Sequence, residues 1–441
     1  INPPIEDFYY TSIRRQPLGL LYIASSLLDA GHQIELINCH TNKKKVLPLP
    51  ESLNYLGKYT HHSDPLLKLP FTKYTHFGMS FQEIEQRILK SNAYLFMISS
   101  MFTTYHEECE TIINIIKKHK PDSYIAAGGY HASLYSDYFL NTLGIDFVLR
   151  GEGEISSVFL ANAIQDHKDF RHIPGCSYKD ERKIINNPQT FDTDINCFRF
   201  PARHLLTQKN FRFYRKFMTP ILTSRGCPNS CSFCTGKIIW GNTYRTRSAG
   251  SIIEEIDYCI KNFNISCFNF EDDNLFATKE RAFEILNALI TYQYEKHIQL
   301  EFAAMNGTSI ENLNPDIITL MHKAGFNEIN ISLVTHSTLI QKAENRPFST
   351  DHFTEIINAA KKSGMNIRAY FILGLPSQTK QEISNTIGFL KSHKITFFPS
   401  VYYNVYSKPE EWKCQRSSAF FNETDYLTRE DLIRFFNQCR I

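Results

Sequence analysis

The sequence predicts an α/β protein with two parallel-sheet units: an open sheet first, then a partial (β/α)6 barrel. Strand-like runs alternate with helical periods through nearly the whole chain. Three of the early strands end in glycine or small polar residues, as strands do where an open parallel sheet binds ligands. From Met218 a second series of six strand–helix units begins, too few for an eight-fold barrel and enough for an open one.

The chain opens on Ile1-Asn2-Pro3-Pro4, which reads as a strand end running into a turn, with residues expected upstream. Strands are expected at Gln33–Cys39, Tyr94–Ser100, Tyr124–Gly128 and Asp146–Arg150, with helices near Leu18–Ala30, Phe81–Lys90, His106–His119 and Ile155–Ala163. Thr41–Thr75 carries prolines, histidines and lysines without a period and reads as an insertion or a lid-like loop. Residues 171–217 read as a connector, with a hairpin at Ser177–Asn187 and Pro188 and Pro201 after it. The second series places strands at Thr219–Ser224, Ser266–Glu271, Ile298–Ala303, Glu328–Leu333, Asn366–Leu373 and Thr396–Tyr402. Capping boxes are expected at Ser251/Glu254 and Thr379/Glu382. The tail is irregular from Tyr406 and helical from about Thr428. The domain reading is therefore 1–170, 171–217, 218–405 and a carboxy-terminal extension, 406–441.

Composition sets the outer limits. Hydrophobic residues make up 42% of the 441 and charged residues 21%, enough to build real cores. A net charge of +3 gives no argument for nucleic acid. No apolar run reaches the roughly 18 residues of a membrane span. Of 11 cysteines, eight are scattered and three are clustered. That pattern fits a reducing cytoplasm and a metal site better than a disulfide framework.

The cluster is Arg225-Gly226-Cys227-Pro228-Asn229-Ser230-Cys231-Ser232-Phe233-Cys234, at the carboxyl end of the first strand of the second series. Gly226 eases the turn and Pro228 stiffens it. Three thiolates can wrap one face of an iron–sulfur cluster and leave one metal position open for chemistry. Structural zinc wants a fourth ligand, and His297 is the nearest later histidine. Spacing alone leaves open a cluster, zinc or an accidental grouping.

C-x3-C-x2-C after a strand, with an aromatic before the last cysteine, resembles the signature of the radical S-adenosylmethionine (SAM) superfamily. Trp240-Gly241, Tyr244–Ser248, Glu254–Ile256, Phe268–Phe276 and Phe371–Thr379 resemble its following motifs, so the likeness covers most of the chain. It implies a [4Fe–4S] cluster on Cys227, Cys231 and Cys234. The open iron would bind the amino and carboxylate groups of SAM, and one electron would cleave the sulfonium to a 5′-deoxyadenosyl radical. It further implies Phe233 near the adenine, Glu271, Asp272 and Asp273 at the amino group or ribose, and Gly374 as a close backbone approach beside the adenine. Each has a plainer alternative: Phe233 as core, the carboxylates as helix caps, Gly374-Leu375-Pro376 as a turn. The fourth strand departs from the family's Gly-Ile-Glu-Ser-like pattern. It reads Ile331-Ser332-Leu333-Val334-Thr335 with no acid, which leaves Ser332 or Thr335 for the methionine end.

The first half resembles the cobalamin-binding, Rossmann-like domain fused to one class of these enzymes. The stretches are Pro17–Ala24, Ser99–Tyr105, Gly128–Ser133 and Asp146–Glu154, in that order. The resemblance implies cobalamin contacts at Ser100, Thr103, Thr104, Gly128, Gly129, His131 and Glu152. A nucleotide-type sheet without a corrin is the alternative. D-x-H-x-x-G, the pattern of proteins that ligate cobalt through histidine, is absent, so cobalt is expected without a histidine below it. His131 could bind the corrin periphery or serve a turn, and Glu152 the nucleotide tail or a helix cap.

Together these imply a cobalamin-dependent radical SAM enzyme, most simply one that methylates an unactivated carbon of a small-molecule or peptide substrate. An electron donor such as flavodoxin or ferredoxin is implied, in the cytoplasm. A cobalamin-dependent cyclase or rearrangement enzyme shares every motif. A methylthiotransferase would need a second three-cysteine set, which the first half lacks, and a zinc-loop interaction protein is the non-enzyme alternative.

Overall fold

A computed structural model describes residues 1–9, 16–191, 194–213, 215–346, 349–414 and 422–440. In the first half, parallel strands Leu95–Ser99, Tyr124–Gly128 and Phe147–Leu149 pair in that order. The hairpin Cys176–Asp180/Lys183–Asn186 extends them antiparallel, so this part of the expected connector belongs to the first sheet. Gln33–Cys39 does not form a regular strand. Two backbone bonds, Asn2 N–H to Ile37 and Cys39 N–H to Asn2, tie it beside the amino terminus, and Ile1 in turn accepts from Ser99. The resulting order, 37–39, 1–2, 95–99, 124–128, 147–149, is that of a doubly wound sheet. Its switch point lies between the first segment and Leu95–Ser99, where ligands bind such sheets.

Helices Leu18–Asp29, Phe81–Lys90, His106–His119 and Glu154–Gln165 follow the expected periods. Isoleucines at 84, 88, 112, 113 and 116 are fully buried on one face of the sheet.

The second half contains six parallel strands: Lys216–Ile221, Cys267–Phe270, Glu301–Ala303, Glu328–Val334, Asn366–Leu373 and Thr396–Val401. The first three pair with each other, as do the last three. Single bridges Phe302–Phe326 and Thr308–Ile331 close the gap between the two sets. No pairing joins the first strand to the sixth among the described residues, so the barrel is open. Thr379/Glu382 forms its capping box. Ser251/Glu254 does not. Ser248 caps that helix and accepts from Ser251 N–H, so the helix starts one turn earlier, at Ala249.

Residues 41–75 are packed rather than lid-like. Short helical turns Glu51–Leu56 and Gly57–Thr60 bury Leu53, Leu56 and Tyr59 in the barrel's core. The closing helix Arg429–Gln438 buries Leu432, Ile433 and Phe436 in the same core. Asn437 donates to the carbonyls of Leu66 and Lys68, joining the insertion to the tail. Between them the turn Pro409–Cys414 crosses to the first domain. No helix among the described residues is long and apolar enough to cross a membrane.

Candidate active site

The cysteine loop leaves the first barrel strand through Ser224–Arg225, which pairs antiparallel with Arg245–Thr246. Gly226 then turns with φ +83°, and a Cβ there would collide with the Thr243 carbonyl, so the glycine is required. The loop spans the mouth of the barrel. Phe233 packs on the buried cluster of Val334, Ile340 and Leu375, at the ends of the fourth and fifth strands, and Tyr402 after the sixth packs on the same cluster. Ser232 donates its N–H to the Glu344 carbonyl at 3.2 Å and its hydroxyl to the Glu344 carboxylate.

Each sulfur receives at least one N–H donor. Asn274 Nδ2 lies 3.7 Å from Cys227, Arg346 Nη1 3.6 Å from Cys231, and Gly236 N–H 3.4 Å from Cys234. Burial raises the Cys227 thiol, and Cys231 raises it further, against the lowering pull of the Asn229 and Asn274 donors. Burial likewise raises Cys234, with Asp273 and the other two cysteines adding to it. The three thiols therefore feel one another, yet no three His, Cys, Asp or Glu side chains among the described residues converge on a single ion. Three mutually repelling, N–H-supported thiolates around a larger anionic inorganic core fit this donor set. The buried Oδ1 of Asn274 and Oγ1 of Thr308 have no hydrogen-bond partner among the described residues.

The three carboxylates part ways. Glu271 is half-buried and accepts from Asn269 and, at 3.0 Å, from Asn306. Asp272 is buried and accepts from the hydroxyls of Thr223 at 2.7 Å and Ser224 at 2.5 Å, so it braces the base of the loop. Asp273 is exposed at the cleft beside Gly236. Crowding by the surrounding protein, then the Asp272 charge, pushes it up to about 6.

Ser332 is half-buried in the fourth strand, just before a register shift. There Val334 adopts φ +63°, and Thr335 N–H donates back to the Leu333 carbonyl at 2.8 Å. A β-branched residue at the centre of such a γ-turn is strained. Gln341 holds it by donating to the Thr335 carbonyl at 2.7 Å. Gly374 (φ +94°) lies under the tail: a Cβ would come within 3.2 Å of Asn422 and Leu432.

On the first domain, Ser100 is buried, with its N–H on the Gly128 carbonyl and its carbonyl accepting from His131 N–H. Gly129, at φ +103°, would bring a Cβ within 2.7 Å of the Ser100 carbonyl. Met101 and Phe102 are exposed beside these glycines, so the strand ends offer a flat, partly apolar face. That face fits a broad macrocycle.

Thr103, Thr104 and His131 sit behind it, buried under the tail. His131 Nδ1 is 3.2 Å from the Thr103 hydroxyl, and its ring lies 4.6 Å from that of Trp412. Its Nε2 is buried without a hydrogen-bond partner among the described residues. Thr104 donates to the Lys413 carbonyl, and Lys413 pairs with buried Glu108 at 2.9 Å. Glu152 binds Arg225 at 2.8 Å and also pairs with Arg245. Glu154 takes the other side of Arg225. The helix Tyr130–Leu134 packs on Gly236–Trp240, so both sets of strand-end loops meet.

Sequence reasoning gave no role to Arg225, Arg245, Asn274, Glu344, Arg346, Trp412 or Lys413. A usable signal existed for Arg225 alone, a charge between an apolar strand and the cysteine loop with no partner nearby in sequence.

Comparison with known proteins agrees with this fold class. The pattern of the Radical SAM superfamily matches residues 221–390, and that of the B12 binding domain matches residues 67–159. An uncharacterized methyltransferase of Pyrococcus horikoshii is 25% identical over 68% of this chain and 63% of its own length. The cytidylyl-2-hydroxyethylphosphonate methyltransferase of Streptomyces wedmorensis is 22% identical over 85% of this chain and 72% of its own. The chain thus spans roughly two thirds of the length of these relatives. Among solved structures, the radical SAM methyltransferase TsrM of Kitasatospora setae, with tryptophan substrate and a SAM analog bound, superposes with a TM-score of 0.69. It shares 15% identity, over 91% of this chain and 72% of that one.

Proposed function

Because this chain belongs to the radical SAM enzymes that carry a B12-binding domain ahead of the barrel, we propose that it is a cobalamin-dependent radical SAM methyltransferase. The reading rests above all on one observation. Three N–H-supported cysteines follow the first barrel strand, and the helix just after Cys234 packs on the helix just after Gly129. In this reading Cys227, Cys231 and Cys234 hold a [4Fe–4S] cluster, and Ser100, Gly128 and Gly129 form the corrin-facing floor. When bound, the cluster supplies the electron that cleaves SAM, and the corrinoid supplies a methyl carrier.

The chain's own residues position and shield. Phe233 closes the loop onto the fourth and fifth strand ends and keeps water from the space beneath it. Asp273 and Glu271 offer carboxylates at the second strand end for the amino group or ribose of SAM. Ser332, ahead of the Val334 turn, offers a hydroxyl to its methionine end. Gly374 serves first as the seat of the tail, and the adenine contact is proposed for its backbone. Thr103, Thr104 and His131 act from behind the floor, held by Trp412 and Lys413, with His131 turned toward Thr103 rather than ligating cobalt. Glu152 aligns the two domains rather than reaching a nucleotide tail.

The substrate, a small molecule or peptide, would enter where the two sets of strand ends meet, and a reduced flavodoxin or ferredoxin would supply the electron. The test is incubation of reconstituted protein with methyl-labelled SAM, a reductant and candidate acceptors. Label transferred to carbon together with 5′-deoxyadenosine supports methyl transfer. 5′-Deoxyadenosine with a cyclised or rearranged, unlabelled product overturns it in favour of the cyclase reading.

A further inference from the structure

Arg346 places a full positive charge on one of the three cysteine sulfurs. Its Nη1 donates to Cys231 Sγ at 3.6 Å, while the donors to Cys227 and Cys234 are all neutral, a side-chain amide and backbone N–H groups. The residue is 9% exposed. Its orientation is fixed from two other sides: Nη2 donates to Ser309 Oγ at 3.0 Å, and Nε lies 3.0 Å from Glu311 Oε1. Two residues earlier, Glu344 holds Ser232, the residue after Cys231. The segment therefore grips the loop at its middle cysteine and carries a charge to it.

We propose that Arg346 sets the reduction potential of the cluster, holding it up through Cys231, with Glu311 as the counter-charge that limits the effect. This rests on the cluster reading above. Reduction adds one negative charge to an already anionic assembly of thiolates, iron and sulfide. A buried cation at hydrogen-bond distance stabilises the reduced form more than the oxidised one, because the protein screens it far less than water would. Arginine stays charged throughout the accessible pH range, so the contribution is constant. A carboxylate on the far side of the guanidinium opposes it.

The two charges predict shifts of opposite sign, which a general disturbance of the loop does not. The experiment is a potentiometric titration followed by the EPR signal of the reduced cluster. It uses the full chain reconstituted anaerobically with iron and sulfide, with dithionite as reductant and no SAM. At the potential where the wild type is half reduced, Arg346→Gln is expected to show an about tenfold lower ratio of reduced to oxidised cluster, ~59 mV for one electron. Glu311→Gln is expected to raise that ratio. Arg346→Lys, which keeps the charge, is expected to stay between wild type and Arg346→Gln. Unchanged potential in Arg346→Gln, or a shift of the same sign in Arg346→Gln and Glu311→Gln, overturns the assignment while leaving the cluster in place. A wild-type chain that takes up no cluster overturns the cluster reading and this assignment with it.

Discussion

Glu152 and Arg225 bind the two domains together through a buried ion pair: Glu152 Oε2 lies 2.8 Å from Arg225 Nη1, with both side chains under a tenth exposed. Arg225 also takes Glu154, and its guanidinium lies over the rings of Phe198, Trp240 and Tyr22 at 4.6, 5.3 and 5.4 Å. It stands two residues before Cys227. The first domain thereby holds the root of the cysteine loop.

Removing Glu152 takes away the carboxylate that two buried arginines, Arg225 and Arg245, share. Glu152→Ala is expected to cost about 3–5 kcal/mol, read as a large fall in the unfolding midpoint. The double variant Glu152→Met with Arg225→Met also takes Arg225 from buried Glu154, so it is expected to recover little of that loss. Equal stabilities for the single variant and wild type would contradict the buried pairing.

Trp412 is fully buried, with ring centroids of Tyr135, His131, Tyr138 and His106 at 4.4, 4.6, 4.8 and 5.1 Å. Trp412→Ala is expected to cost about 3–5 kcal/mol by leaving a cavity among these rings. Amide exchange should rise in 103–109 and 130–141, on the first domain, although the substitution lies in the tail. Protection unchanged there would contradict the crossing of the tail.

His131 is pushed down to about 3 by burial and then by His106, which burial itself lowers to about 4. Below the ordinary value of 6.5 the unfolded chain therefore binds protons that the native chain refuses. Stability is full above that pH and falls as pH drops, by up to about 1.4 kcal/mol per pH unit for each histidine. Urea unfolding at pH 7 and pH 5 should show this loss, and His131→Gln should remove its share. An unaltered pH dependence in the variant would contradict the burial of a neutral ring.

Gly226→Ala combines a left-handed φ with a collision against the Thr243 carbonyl. The expected penalty is roughly 1–3 kcal/mol or more, concentrated in the cysteine loop. Reconstitution should bind less iron than wild type, while far-ultraviolet circular dichroism stays near that of wild type. Full iron uptake would contradict the strained turn.

Much of this architecture was legible because it rests on local periodicity. The isoleucine spacing of His106–His119 and the alternation through Asn366–Leu373 each announce an element without help from the rest of the chain. The cysteine loop was legible for the same reason, with all three cysteines within eight residues. What stayed hidden depends on distant partners. The segment 33–39 has strand-like residues, and its backbone meets Asn2, which is distant in sequence. The insertion at 41–75 folds as short turns whose buried side chains keep no regular spacing. Glu152 reads as a ligand or a cap from sequence, because Arg225 lies 73 residues away. Thr104 and His131 suggest an open crevice until Trp412 and Lys413, some 300 residues on, cover them.

The central claim is that Cys227, Cys231 and Cys234 carry an iron–sulfur cluster facing a corrin. It is tested most directly by anaerobic reconstitution of the full chain with iron, sulfide and cobalamin, followed by gel filtration and the absorption spectrum of the protein peak. The protein is expected to retain both the broad absorbance of a [4Fe–4S] cluster and the bands of a corrin. The cluster absorbance should vanish, and the corrin bands remain, when all three cysteines are changed to alanine. A peak with no corrin, or cluster absorbance that survives the triple substitution, would contradict it.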